Sequence, residues 1–310
     1  MLNFLLTCSG RKVHLINSFL ETVKDNSRLK IFLCDTNSKV ISKYFGNFFW
    51  KSPKFVSQNF KKILFFLKKK KIKIVFPTSD LELLFWAKYK NRLLKENIKV
   101  MISSKKSIEI CQDKLLFFNF LKENNITTID TSNKLESIKS KKFVVKNRYS
   151  YEEKKTFINI DYQHSKKVSK KFKNPIFQPY LFGTEISIDC YVNKENKVKI
   201  LLRERCSINN GESEQIKFLY NKKIFNQIMY ILNKLDFSGH IMFQGIKTNR
   251  DFYILECNPR IGGASSTCFY KGLNSFKNFI EENSKVKLNY SKNLIKKNHF
   301  IIHKKVTPID

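Results

Sequence analysis

Four short apolar runs alternate with helix-spaced stretches over the first hundred residues, and this alternation restricts the fold more than any other feature of the chain. NFLLT (3–7), KIFLCD (30–35), KIVFP (73–77) and KVMIS (99–103) read as strands. Between them, Val13, Ile16, Leu20 and Val23 share one helical face, and FKKILFFLKKK is amphipathic. TSDLELL carries Ser79 and Glu82 in capping-box spacing and opens a helix to about residue 95. Strands that take turns with helices specify a parallel sheet with helical crossovers. A single Gly10 follows the first strand, so the G-x-G-x-x-G signature of a dinucleotide site is missing.

The pattern changes near residue 104, which divides a preceding α/β domain (1–104) from a second domain (105–310). From Ser104 one helix is expected through KSIEICQDKLLFFNFLKEN, then a strand in KKFVVKNR (141–148) and a lysine-rich helical stretch. PIFQPYLFGTEISIDCYVN (175–193) and KVKILLRERCS (197–207) read as two strands of an antiparallel sheet, followed by a helix over 221–236. IMFQGIKT (241–248) and FYILECN, joined by a turn at TNRD, form a hairpin.

That hairpin carries the chemistry. In LECNPRIGG (255–263), Glu256, Asn258 and, if the strand continues, Arg260 project to one face, because strand side chains alternate. A bend near residue 250 sets Gln244 across from Glu256. Oxygen donors from Gln244, Glu256 and Asn258 suit a hard divalent cation that keeps positions for water and phosphate, and Arg260 adds a cation beside them.

Composition narrows the alternatives. With 310 residues, 42% of them hydrophobic, the chain can bury two or three fused subdomains. No apolar run approaches the roughly 20 residues of a membrane span, and MLNFLLTCSGRK lacks the marks of a signal peptide, so the expected compartment is the cytoplasm. Seven cysteines without a C-x-x-C pair indicate neither a disulfide framework nor a zinc site. The net charge of +33 is spread along the chain with Asn, Ile and Phe, as in proteins from AT-rich genomes, and does not call for a nucleic-acid partner. The densest run, KKKK (68–71), reads as the solvated end of a helix.

Nearly the whole chain resembles the ATP-grasp ligases, in particular the branch related to the large subunit of carbamoyl phosphate synthase. LLTCSGRKVHLINSFLE, VFPTSDLELL and ICQDKLLFFNFL are similar to the opening segments of that family. The resemblance implies a parallel-sheet domain leading into two subdomains that grip ATP, with a small covering subdomain at about 118–180. It makes Lys114 and Lys146 the phosphate-binding bases. FQPYLFGTE resembles the adenine linker, so that Gln178 and the backbone at Leu181 read the base and Glu185 holds the ribose. Gln244, Glu256 and Asn258 would hold magnesium, with manganese as the alternative, and Arg260 would face the transferring phosphoryl group or the acyl phosphate. RERCSINNGESE makes Arg203 and Arg205 candidates for an anionic substrate.

The implied activity is an ADP-forming ligation of a small-molecule carboxylate to an amine or similar nucleophile. One departure is plain: no glycine occurs between Gly46 and Gly183, so the phosphate loop of the family is here KNRYSYEEKKTF. Backbone amides, Ser150 and Arg148 would have to replace the glycine amides in a longer, more mobile cover. Two rivals follow, a nucleotide-binding relative without catalysis and, from charge alone, a basic nucleic-acid-binding protein. Substrate identity and oligomeric state are not legible.

Overall fold

The computed structural model describes residues 2–152, 155–209, 212–288 and 298–301. Strands β1 (Leu2–Leu6), β2 (Leu29–Asp35), β3 (Phe48–Lys51), β4 (Ile72–Phe76) and β5 (Lys99–Val100) form a parallel sheet in the order β3-β2-β1-β4-β5. Helices α1 (Val13–Val23), α2 (Phe60–Lys69) and α3 (Leu83–Lys95) link β1 to β2, β3 to β4 and β4 to β5, and a 3-10 turn (Ile41–Tyr44) lies between β2 and β3. Ser79 N donates to Glu82 Oε1 (3.1 Å), completing the capping box. The sequence gives no warning of β3, a half-exposed edge strand of four residues, FFWK. Strand order reverses between β1 and β4, so the turns after these two strands meet at a crevice, where open α/β sheets place ligands.

The single helix expected from Ser104 is two, α4 (Lys105–Gln112) and α5 (Lys114–Glu123). Asp113 breaks it by leaving helical geometry (φ −102°, ψ 104°) and capping α5, where its carboxylate accepts from Leu115 N (3.0 Å) and Leu116 N (3.2 Å). A short acidic side chain that captures amides in this way competes with helix continuation.

A small sheet, β7-β6-β8, follows, built from β6 (Phe143–Asn147), β7 (Thr156–Ile160) and β8 (Pro175–Pro179), with α6 (Tyr162–Ser169) packed on it. The large antiparallel sheet runs β13-β12-β9-β10-β11-β14, from β9 (Thr184–Val192), β10 (Val198–Asn209), β11 (Glu212–Leu219), β12 (Gly239–Lys247), β13 (Phe252–Asn258) and β14 (His299–Ile301). Helix α7 (Lys222–Leu232) buries Ile224, Ile228 and Ile231 in the core of this sheet, with Ile188 and Phe243.

The run 175–193, expected as one strand, is divided between the two sheets. Pro179 ends β8 and β9 starts at Thr184, leaving 180–183 as a connector. At Gly183 a Cβ would stand 2.5 Å from Lys247 O, so the strand start tolerates no side chain there.

Residues 263–283 return to the first domain. Helix α8 (Ser275–Asn283) and the segment before it share a core with the parallel sheet, where Phe19 stacks on Phe276 (4.2 Å between ring centres, 16°) and Phe76 meets Phe276 edge-on (5.0 Å). Trp50 and Trp86, the chain's two tryptophans, both belong to the first half. Phe276→Ala should destabilise by about 3–5 kcal/mol, the usual cost of removing a buried phenylalanine. The shift should appear in urea unfolding followed by tryptophan fluorescence; an unchanged fluorescence midpoint would show that the two ends fold separately.

Candidate active site

A cavity of about 730 Å³ lies between the small sheet and the large one. Lys114, Lys146, Gln178, Leu181, Glu185, Arg203, Arg205, Gln244, Glu256, Asn258 and Arg260 all line it, so these eleven candidates reach the same space, whereas Arg148 does not line it.

Its floor is the hairpin. Gln244 pairs with Glu256 in register, and the ladder slips by one residue at Gly245. Asn258 Nδ2 donates to Glu256 Oε1 (3.2 Å). The Gln244 amide is best satisfied with its nitrogen donating to the same Oε1 (2.8 Å) and its oxygen accepting from Arg205 Nη1 (3.1 Å). Strand β13 stops at Asn258 instead of running on to Arg260, and Arg260 N donates to Asn258 O (2.7 Å) in the bend. The arginine side chain still enters the cavity.

One carboxylate and two amides form an oxygen set for a divalent cation that retains water and phosphate ligands. Among the described residues no three His, Cys, Asp or Glu side chains gather into a metal group. Both amides now present nitrogen to Glu256, so each must rotate about its last torsion to present oxygen. The residues fit magnesium on those terms.

Across the cavity, Lys114 opens α5 at 8% exposure and Lys146 stands on β6. Burial pushes the Lys146 ammonium down to about 8; Glu256 opposes that shift and Lys114 adds to it. Two cations thus stand near Glu256, with Glu185 a weaker negative neighbour, and a polyphosphate would add favourable charge to both. Gln178 is buried and its Nε2 donates to Thr131 Oγ1 (2.8 Å).

Two of the expected ligand residues hold each other: Arg205 Nη1 donates to Glu185 Oε2 (2.6 Å), and Arg205 Nε to Ser213 Oγ (2.9 Å). Arg203 is only 1% exposed and donates from Nε to Asp189 Oδ2 (2.6 Å). Burial opposes ionisation of Asp189, but Arg203 and His240 outweigh it and hold the carboxyl well below the usual carboxylate range. Ser265 Oγ also donates to Asp189, and His240 bonds it (3.0 Å) and Ser275 Oγ (2.7 Å). Arg203 is therefore first a structural cation.

The glycine-free loop is tied down over its described part. Arg148 donates to Asp113 through Nε (2.7 Å) and Nη2 (2.6 Å), so it does not stand in for a glycine amide at the phosphates. Ser150 N donates to Gln112 O (2.9 Å), Arg148 N to Asn174 O (2.8 Å), and Asn174 Nδ2 to Glu152 Oε1 (2.7 Å). Residues 153–154 of the expected cover lie outside the described residues.

The sequence did not mark Asp80, which grips Arg260 by two bonds, from Nε to Oδ1 (2.9 Å) and from Nη2 to Oδ2 (2.5 Å). It reads only as part of a helix start, and nothing local points to a partner 180 positions away. Nearby, Lys12 Nζ donates to Thr78 O (2.5 Å) and Oγ1 (2.7 Å). Burial, with help from the Arg260 charge, lowers this lysine to about 8.

Two family models match the chain, "PylC-like, N-terminal domain" over residues 4–101 and "ATP-grasp in the biosynthetic pathway with Ter operon" over 171–303. No curated protein matches it. Among solved structures, an L-amino acid ligase from Bacillus licheniformis superposes with a TM-score of 0.72 at 15% identity, covering 93% of this chain and 75% of that one. A biotin carboxylase from Campylobacter jejuni gives 0.70 at 13%, covering 96% and 74%. The N5-carboxyaminoimidazole synthetase of Staphylococcus aureus gives 0.68 at 16%, covering 93% and 78%. Likeness at these identities carries the fold.

The lowered Lys146 ammonium gives a pH signature. Below pH 8 it is charged and available to phosphates; above, it is neutral unless a bound polyphosphate recharges it. Affinity for ATP should therefore fall as pH rises from 7 to 9.5, at most about tenfold per unit. Lys146→Met should bind more weakly and flatten that profile in calorimetric titrations; a variant as steep as the parent would remove Lys146 from the phosphates.

Proposed function

We propose that this chain, which has the ATP-grasp fold, is an ADP-forming ligase that activates a small-molecule carboxylate as an acyl phosphate and joins it to an amine or similar nucleophile. The observation that carries this reading is the convergence in one cavity of Lys114 and Lys146 with the Gln244–Glu256–Asn258 oxygen set. No helix among the described residues is long and apolar enough to cross a membrane, and we place the protein in the cytoplasm.

In the first half-reaction a carboxylate oxygen attacks the γ-phosphorus and ADP leaves. In the second, the nucleophile adds to the acyl carbon, phosphate departs, and the nucleophile gives up its proton. Gln244, Glu256 and Asn258 would hold magnesium, or manganese, which would neutralise phosphate charge when bound. Lys114 and Lys146 add fixed positive charge in a site that excludes much of the water, where it acts strongly. Gln178 and the backbone at Leu181 orient the base, and Glu185 takes the ribose by exchanging its Arg205 partner. Arg260 stabilises the transferring group; Arg205, once released, offers its charge to an anionic substrate, and Arg203 supports the floor beneath it.

The tied, glycine-free loop favours a second reading, nucleotide binding without turnover, because amides engaged with Gln112 and Asn174 are withdrawn from phosphates. Two measurements separate the readings. With a panel of carboxylates and amines, the parent protein should release ADP only when both substrates are present, its substrate-free ATPase being slow because closure is incomplete. Glu256→Gln should lose at least about a hundredfold in that rate, as loss of a key transition-state charge contact does, while retaining metal-free ATP binding. ADP release unaffected by Glu256→Gln would remove the assigned metal site, and absence of ADP release across the panel with ATP bound favours the non-catalytic reading.

A further inference from the structure

The Asp80–Arg260 pair crosses the molecule at the cavity wall. Asp80 comes from the turn after β4, at the switch-point crevice of the parallel sheet, and Arg260 from the bend after β13. Both side chains are nearly buried, at 6% and 9% exposure, and the contact is fork to fork. Asp80 is itself fixed, because Gln112 Nε2 donates to its backbone oxygen (2.5 Å) and the capping box holds the turn. Arg260 is fixed only partly elsewhere, through Nη1 to Ile261 O (3.3 Å) and Nη2 to Asn258 Oδ1 (3.5 Å). Its direction therefore comes from Asp80.

We propose that Asp80 is a positioning residue that aims Arg260 and restrains its affinity for anions. A guanidinium with one face on a carboxylate is half neutralised, so it attracts a ground-state carboxylate or a product phosphate less than a free arginine would. Charge that appears in transfer still meets a cation already in place. Interactions that strengthen from ground state to transition state raise rate, whereas a uniformly tight anion site traps substrate and product. Lys12, held on the carbonyl and hydroxyl of Thr78 two residues before Asp80, adds positive charge on the same side. Without Asp80, Lys12 and Arg260 would keep only Glu82 and Glu256 as negative neighbours, and the crevice would hold an anion more tightly. The consequence for turnover rests on the ligase reading; the effect on anion affinity does not.

Inorganic phosphate is the probe. Asp80→Asn keeps the shape of the contact and removes its charge, so it should bind phosphate about tenfold more tightly than the parent, the scale of one partly buried charge coupling. A residue that served only to stabilise the fold would give equal or weaker binding on substitution, and that result overturns the proposal. A second measurement needs no folded variant at position 80. In the 15N-labelled parent, the Nε–H of Arg260, identified by its absence in Arg260→Lys, should exchange with solvent at least about tenfold more slowly than those of exposed arginines, as a buried charge-assisted bond requires. Exchange at the rate of exposed arginines would refute the pairing. A parent protein that binds phosphate yet never MgATP would sink the ligase reading and leave this inference standing.

Discussion

The site depends on the register between β12 and β13. Gln244 can face Glu256, and Asn258 can reach the same oxygen, only because the two strands are paired in that alignment. A shift of one residue would turn Glu256 and Asn258 into the core and bring Cys257 out to the cavity. Gly245 permits the alignment: a Cβ there would lie 2.4 Å from the Phe252 ring and 2.5 Å from Tyr253 O. The irregularity beside Gln244 therefore accommodates close approach and lets one amide and one carboxylate share a face. Gly183, pressed against Lys247 O two residues further along the same strand, makes the corresponding close contact where the connector enters the large sheet.

Behind this floor lies a layer of buried charge. Asp189 on β9, Arg203 on β10 and His240 on β12 are joined with Ser265 and Ser275, which belong to the returning C-terminal segment. Desolvation of such groups is costly, so the arrangement stands only because nearly every charge is matched by a partner. It locks three adjacent strands to the segment that also carries the Phe19–Phe276 stack. The cavity floor is thus supported by the same segment, 263–283, that packs against the parallel sheet. Arg203 looks in sequence like a second anion receptor beside Arg205, but its place in this layer assigns it to support first.

What could be read from the chain beforehand follows from the range of the forces involved. Alternation with periods near 2 and 3.6 exposed the parallel sheet and the hairpin, since each is set by side chains a few positions apart. Ser79 and Glu82 disclosed a helix start for the same reason. The elements missed are governed by distant partners. Asp113 breaks a helix whose periodicity runs unbroken through it, because Arg148 and two amides of the next turn hold its carboxylate. The run from 175 to 193 is uniformly strand-like, yet its halves join different sheets, and only the close packing of Gly183 on Lys247 marks the change. Asp80 and Asp189 carried no local sign of function, because their partners arrive from other elements. The resemblance brought eleven residues to one cavity without showing that Arg205 and Glu185 would hold each other there.

The contacts around Lys146 hold the glycine-free segment that follows it. A glycine loop serves by flexibility, folding its amides over phosphate after the nucleotide enters. Here the chain after Lys146 is built as a turn whose conformation is set in advance: Asp113 takes Arg148, and Gln112 and Asn174 take backbone amides. Lys114 and Lys146 are coupled by this turn, since Lys114 N donates to Arg148 O (3.0 Å), two residues beyond Lys146. Lys114 and Lys146 are therefore joined through one hydrogen-bonded turn. Preorganised charge needs little rearrangement when phosphate arrives, which favours binding.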